Sequence, residues 1–153
     1  MTALPPIGEL LPHGPPMRLV DELLECAGGR ARCCVRLRPD SPFMEAGRVR
    51  ALVALEYMGQ AAAACAGMAA RAGGRRPAAG LLLGTRELTL SVSHFAAGDV
   101  LSVDAERLVQ EGGLASFRCE VRRGEERVAG AVLTVFLPDE AAPAARPGRK
   151  DGP

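Results

Sequence analysis

One lysine, two histidines and a net charge close to zero limit what this 153-residue chain can do. Arginine carries nearly all the positive charge, and the only lysine, Lys150, lies in the last few residues. No lysine can be set into a packed pocket, which argues against Schiff-base chemistry. The formal net charge is +1, so no global field draws nucleic acid or an acidic membrane surface. His13 and His94 are far apart and no Cys/His spacing accompanies them, so no metal site is expected. The sequence also lacks GxSxG, a Walker loop, a dinucleotide fingerprint and HExxH. No charged-then-apolar leader opens the chain, so the expected location is cytoplasmic. The five cysteines (Cys26, Cys33, Cys34, Cys65 and Cys119) are odd in number and lack metal-ligand spacing. They read as small buried apolar residues of a reducing compartment.

What is present is one long apolar run. From Ala51 to Ala70 the sequence is ALVALEYMGQAAAACAGMAA, and Glu56 is its only charge. The run is long enough for a bilayer, but alanine dominates it and Glu56 and Gln60 interrupt it, which makes a poor span. A helix buried in a folded domain fits better. A buried carboxylate is costly unless it is paired or used. Two readings follow. Glu56 is either held by an arginine or a backbone amide, or it is a proton donor or acceptor at the mouth of an apolar pocket, its pKa raised by burial.

The rest of the chain arranges itself around that run. One domain with a real core is expected at this length. Residues 1–17 read as a loop or a short helix, 18–137 as the folded domain, and 138–153 as a disordered Ala/Pro/Gly/charge tail. Arg18–Cys26 and Arg30–Arg38 read as strands joined by a hairpin at Gly28–Gly29. The long helix is expected from about Arg48 to Ala72, stopped by Gly73–Gly74. Strand-like runs follow at Gly80–Val92, Val100–Gln110, Leu114–Arg123 and Arg127–Leu137, the last apolar on both faces and so expected inside the sheet. This order predicts an α+β hotdog arrangement, an antiparallel sheet of about five or six strands wrapped around one central helix. Gly59, Ala61 to Ala64 and Gly67 supply the small residues that close approach to such a helix requires.

With the larger motifs excluded, acid–base chemistry remains. Its candidate groups are Glu56, His13, His94 and carboxylates such as Asp21, Glu45 and Asp99; His94 reads mainly as a strand-end residue. Arg48, Arg50, Arg71, Arg75 and Arg76 bracket the helix ends, where they are either solvated or able to attract a phosphate-bearing arm or an acidic carrier protein. Arg48 and Arg50, at the helix start, suit the second role better.

Three segments resemble a known family. LLPHGPPMRLVDEL resembles the LPHR-P-F-LLVD opening of bacterial 3-hydroxyacyl-[acyl carrier protein] dehydratases of the FabZ type. ALVALEYMGQAAAA resembles their helix motif, and more closely the ALEYMAQ version of the ApeP-like dehydratases of aryl-polyene clusters. GLLLGTRELTLSVSHFAAGDVLSV resembles the GLLLG-R stretch followed by F-x-x-GD of the same group, and the likeness covers residues 7–137.

The resemblance implies the hotdog fold, a dimer with active sites at the interface, and loss of water from a 3-hydroxyacyl thioester. The substrate would ride on the phosphopantetheine of an acyl carrier protein, with no metal or organic cofactor. Glu56 matches the catalytic helix carboxylate and His13 the histidine of the opening motif. The FabZ pattern has a second catalytic histidine in a GHFP motif before the helix; here that region reads SPFMEAGRVRALV, without one. His13 is therefore expected to supply the base. Backbone N–H groups around Gly47, Arg48 and Val49 are expected to polarise the thioester carbonyl, with Gln60, Leu83 and Gly84 against the substrate. The partners implied are the carrier protein and a second hotdog subunit, identical or different. Two rival readings stand beside this one: a non-catalytic partner subunit of a heteromeric dehydratase, and an acyl thioesterase whose helix carboxylate activates water.

Overall fold

Gly28 and Gly29 adopt φ of +60° and +77°, the left-handed geometry that a two-residue hairpin turn demands. They join β1 (Glu22–Ala27) to β2 (Arg30–Arg36) in the expected antiparallel register. The computed structural model describes residues 3–12, 14–76 and 80–138. His13 and the expected tail beyond residue 138 lie outside the described residues.

The helix begins later than the sequence suggested. Arg48–Arg50 forms a short strand, β3, and Ala51–Val53 a 3₁₀ turn, before the helix α1 (Ala54–Ala72). Two exposed arginines flanking the fully buried Val49 make a period-two pattern, which is a strand signal at a length too short to read with certainty in sequence. β3 pairs with another short strand, β5 (His94–Ala96), so that Val49 lies opposite Phe95. Phe95 is buried and its ring lies 6.2 Å from that of Tyr57 on α1, which fastens this small second sheet to the helix. α1 ends where the glycines predicted, with the Gly73 N–H donating to the Ala69 carbonyl and Gly74 at φ +75°.

The remaining strands are β4 (Leu81–Leu90), β6 (Val100–Glu111), β7 (Leu114–Arg123) and β8 (Glu126–Phe136). The main sheet has six strands in the order β1-β2-β6-β7-β8-β4, all antiparallel. β8 is an inner strand buried continuously from Val128 to Leu133, as its two apolar faces implied. This is the α+β hotdog architecture.

α1 is not centred on the sheet. It packs on β2, β6 and β7 and makes few contacts with β4. β4 is therefore exposed along its whole length, and Leu81, Leu82 and Leu83 are each at least half exposed. At its other side α1 touches the N-terminal segment, where a Cβ on Gly67 would come within 2.7 Å of the Leu10 carbonyl oxygen. The small residue there admits backbone rather than sheet. By length and composition the stretch Ala51–Ala72 could cross a membrane, but 56% of its most apolar window is buried within the domain, as in the core helix of a folded protein.

On the sheet face turned away from α1, Asp104 accepts from Arg32 at 2.7 and 3.1 Å and from Arg30 at 3.4 Å. Beside it Glu120 pairs with both Arg122 and Arg127 at 2.9 Å. Arg127 reaches Glu120 by lying over Gly130, where a side chain would collide with its guanidinium. These pairs order the outer face across β2, β6, β7 and β8.

Candidate active site

Glu56 is in the first turn of α1, and it is exposed. The expectation of a buried carboxylate is corrected on this point, and the cause is the off-centre helix. The helix face bearing Glu56 looks into an open cleft of about 150 Å³ between α1 and the uncovered end of the sheet. On the helix side the cleft is walled by Leu55, Glu56, Gly59, Ala62 and Ala63, and on the sheet side by Leu82 and Val135, with Leu137 just beyond β8. Glu56 is the only charged group among the residues that line it. Among the described residues none forms an ion pair or hydrogen bond with Glu56, so the reading of a carboxylate held in place by an arginine or a backbone amide finds no partner there.

Gln60 lies one turn beyond Glu56 and is 3% exposed. Its Oε1 accepts the backbone N–H groups of Leu19 at 2.8 Å and Val20 at 3.1 Å, and its Nε2 donates to the Met17 carbonyl at 2.7 Å. Gln60 also forms part of the cleft wall, but its amide is engaged with backbone. It ties the segment after the proline-rich opening to the turn of helix that carries Glu56. The signal was visible in sequence, since Gln60 is the one amide side chain in the long apolar run, and a buried amide must find partners.

The other expected site residues spread out. Gly47, at φ +77°, and Arg48 are exposed, and Val49 is buried behind them in β3. The Arg48 N–H donates to the Glu45 carbonyl at 3.0 Å, so that donor is already engaged. None of the three lines the Glu56 cleft of the same chain. Leu83 and Gly84 are exposed on β4 at a register irregularity that puts Leu82, rather than Leu83, on the cleft side. His94 sits opposite Arg50 in the β3–β5 pair and its Nδ1 is 3.0 Å from Ser93 Oγ, a strand-end position as expected.

The buried cysteines offer no nucleophile. Cys33, Cys34, Cys65 and Cys119 are buried as free thiols. Burial pushes the thiols of Cys33 and Cys119 up to about 12 and that of Cys65 up to about 11. The chemistry available in this cleft is proton transfer by Glu56 beside an apolar wall.

The sequence model of the ApeP-like family, described as ApeP dehydratase, matches residues 5–146. No curated protein sequence matches the chain. Among solved structures, the dehydratase heterocomplex ApeI:P from Xenorhabdus doucetiae superposes with a TM-score of 0.85 at 27% identity, over 89% of this chain and 93% of that one. Two more distant structures share the fold. A homologue of HP0420 from Helicobacter felis has a TM-score of 0.64 at 15% identity, covering 85% of this chain and 98% of that one. A hypothetical thioesterase with coenzyme A from Streptococcus pneumoniae has a TM-score of 0.58 at 15% identity, covering 76% and 84% respectively.

Proposed function

Because the chain belongs to the ApeP-like dehydratase family, we propose that its Glu56 cleft eliminates water from 3-hydroxyacyl thioesters carried by an acyl carrier protein. The observation that carries this reading is Glu56 itself, which among the described residues has no partner and is the one charge lining an apolar cleft. It lies in the helix motif that resembles the family's catalytic one. Elimination needs a base at C2 and an acid at the C3 hydroxyl. In this assignment Glu56 gives its proton to the departing hydroxyl as the C3–O bond breaks, and His13 takes the C2 proton, leaving the 2-enoyl thioester and water. Met17, held by Gln60, follows His13 by four residues, which supports a role for that segment beside the helix.

The cleft of one chain is open, and β4 beside it is an unpaired edge with exposed leucines. Such an edge invites a strand from another chain. We assign it to a second hotdog subunit that covers β4, with Leu83 and Gly84 at the junction, and thereby closes the cleft over Glu56. The resemblance to one chain of a heterocomplex supports a different subunit as that partner. Arg48 and Arg50, both exposed, are assigned to the phosphate of the carrier arm, with Gly47 in the turn that leads into their strand and Val49 buried between them. The reaction as written needs no metal or organic cofactor, and its place is the cytoplasm.

Purified protein, alone and with a candidate partner subunit, is incubated with a 3-hydroxyacyl-carrier thioester and the product is weighed by mass spectrometry. Loss of water supports the dehydratase, free acid would mean a thioesterase, and turnover that survives Glu56→Gln in the two-subunit assembly would mean a non-catalytic partner.

A further inference from the structure

Tyr57 follows Glu56 in α1, but its side chain turns to a different side of the helix and is 1% exposed. Its ring packs near Phe95, and among the described residues its hydroxyl has no hydrogen-bond partner. A buried phenol ordinarily finds one. Tyr57 forms part of the wall of a cavity of about 190 Å³ that shares no lining residue with the Glu56 cleft. Burial, and then the charge of Asp21 in the same wall, push its pKa up to about 12, so the hydroxyl on the cavity side stays protonated and able to donate.

The other side chains of the wall divide into engaged and open ones. Asp21 is engaged, since it accepts the Arg36 N–H at 2.6 Å and Arg38 Nη1 at 3.3 Å. The Arg36 guanidinium is held by Glu22 at 2.7 Å. Ser41 Oγ accepts the Arg38 N–H at 2.8 Å, which leaves its own hydrogen to donate. Arg18, half-buried with its guanidinium over Gly8, has no acceptor among the described residues. Tyr57, Ser41 and Arg18 are thus open donors, against one open acceptor, the exposed carboxylate of Asp40. Three arginines and two aspartates leave the wall with one net positive charge.

We infer that this cavity is a binding site for a small monocarboxylate, whose oxygens take the Tyr57 and Ser41 hydroxyls and the Arg18 guanidinium while its apolar body lies on Leu19, Leu37 and Pro42. A single negative charge matches the wall, and a cavity of this size holds about six to nine non-hydrogen atoms. The ligand joins the segment after the proline-rich opening, the loop after β2 and the first turn of α1. The site does not depend on the reaction proposed for the Glu56 cleft.

The protein is titrated calorimetrically with benzoate, with neutral benzamide and with inorganic phosphate. Benzoate should bind saturably, with benzamide at least about tenfold weaker because it lacks the charge. Tyr57→Phe, which removes only the hydroxyl, and Arg18→Gln should each weaken benzoate by about tenfold. Benzoate should also raise the melting temperature of wild type, and raise it less in either variant. A cooperative melt without ligand shows each variant folded; if Tyr57→Phe fails that check, Arg18→Gln carries the test alone. No binding of benzoate to wild type, equal binding of benzamide, tighter binding of phosphate, or unchanged affinity in either folded variant would overturn the inference.

Discussion

Gln60 Oε1 accepts the backbone N–H of Leu19 at 2.8 Å across 41 residues of sequence, one helical turn from Glu56. The same amide holds Val20 and Met17. Replacing Gln60 by Leu keeps much of the volume but leaves two N–H groups and a carbonyl without partners. Urea denaturation should show a loss of about 2–4 kcal/mol. A loss under about 0.5 kcal/mol would mean that water replaces the amide and that the segment is not anchored there.

Gly59 and Gly67 should respond to alanine in opposite directions. At Gly67 the new methyl meets the Leu10 carbonyl at 2.7 Å, and the helix or the N-terminal segment must shift. The expected cost is about 1–3 kcal/mol. At Gly59 the methyl meets nothing, and alanine should stabilise by up to about 1 kcal/mol. The two midpoints in one denaturant series check both signs.

Asp104 ties acid stability to the outer face of the sheet. Burial opposes its charge, but hydrogen bonds and charge from Arg32 and Arg30 outweigh this and hold the carboxyl below the usual range. A depressed folded pKa contributes stability that is fully present above the unfolded value, about 3.9, and lost as pH falls through the folded one. Asp104→Asn should therefore destabilise by about 1–3 kcal/mol at pH 7, and the difference from wild type should shrink below about pH 4. A difference independent of pH down to pH 2 would remove Asp104 from this role.

The buried thiols should resist alkylation. With Cys33 and Cys119 pushed up to about 12 and Cys65 to about 11, little thiolate forms near neutrality. Iodoacetamide at pH 8 followed by peptide mass spectrometry should label half-buried Cys26 first, and the other four only on unfolding. Rapid native labelling of Cys119 would contradict the packing described.

Much of the fold was legible because its signals are local. The glycine pair at 28–29, the stop at Gly73–Gly74 and the apolar faces of β8 each follow from a few adjacent residues. The β3–β5 pair was not, because three residues on each side carry too little pattern to outweigh the long helix beside them. Glu56 was singled out correctly as the odd charge in an apolar helix, but not as exposed. Sequence tells how apolar a helix is, whereas its offset across the sheet, which leaves β4 and the cleft uncovered, depends on the whole assembly. Gln60 lines the cleft, as its place in the motif led one to expect, but its hold on Met17, Leu19 and Val20 was not legible because those partners are remote in sequence. The openness around Gly59 is a property of the cleft and not of the motif.

The most direct test of the account is mass spectrometry of a 3-hydroxyacyl-carrier thioester treated with the protein and its partner subunit, with Glu56→Gln as the variant. Glutamine keeps the size of the side chain and removes the acid. The account predicts conversion to the enoyl thioester by wild type and a fall of about 10²-fold or more in the variant, with folding unchanged. Undiminished water loss with Glu56→Gln would show that the proton comes from elsewhere and would contradict the assignment of this cleft as the active site.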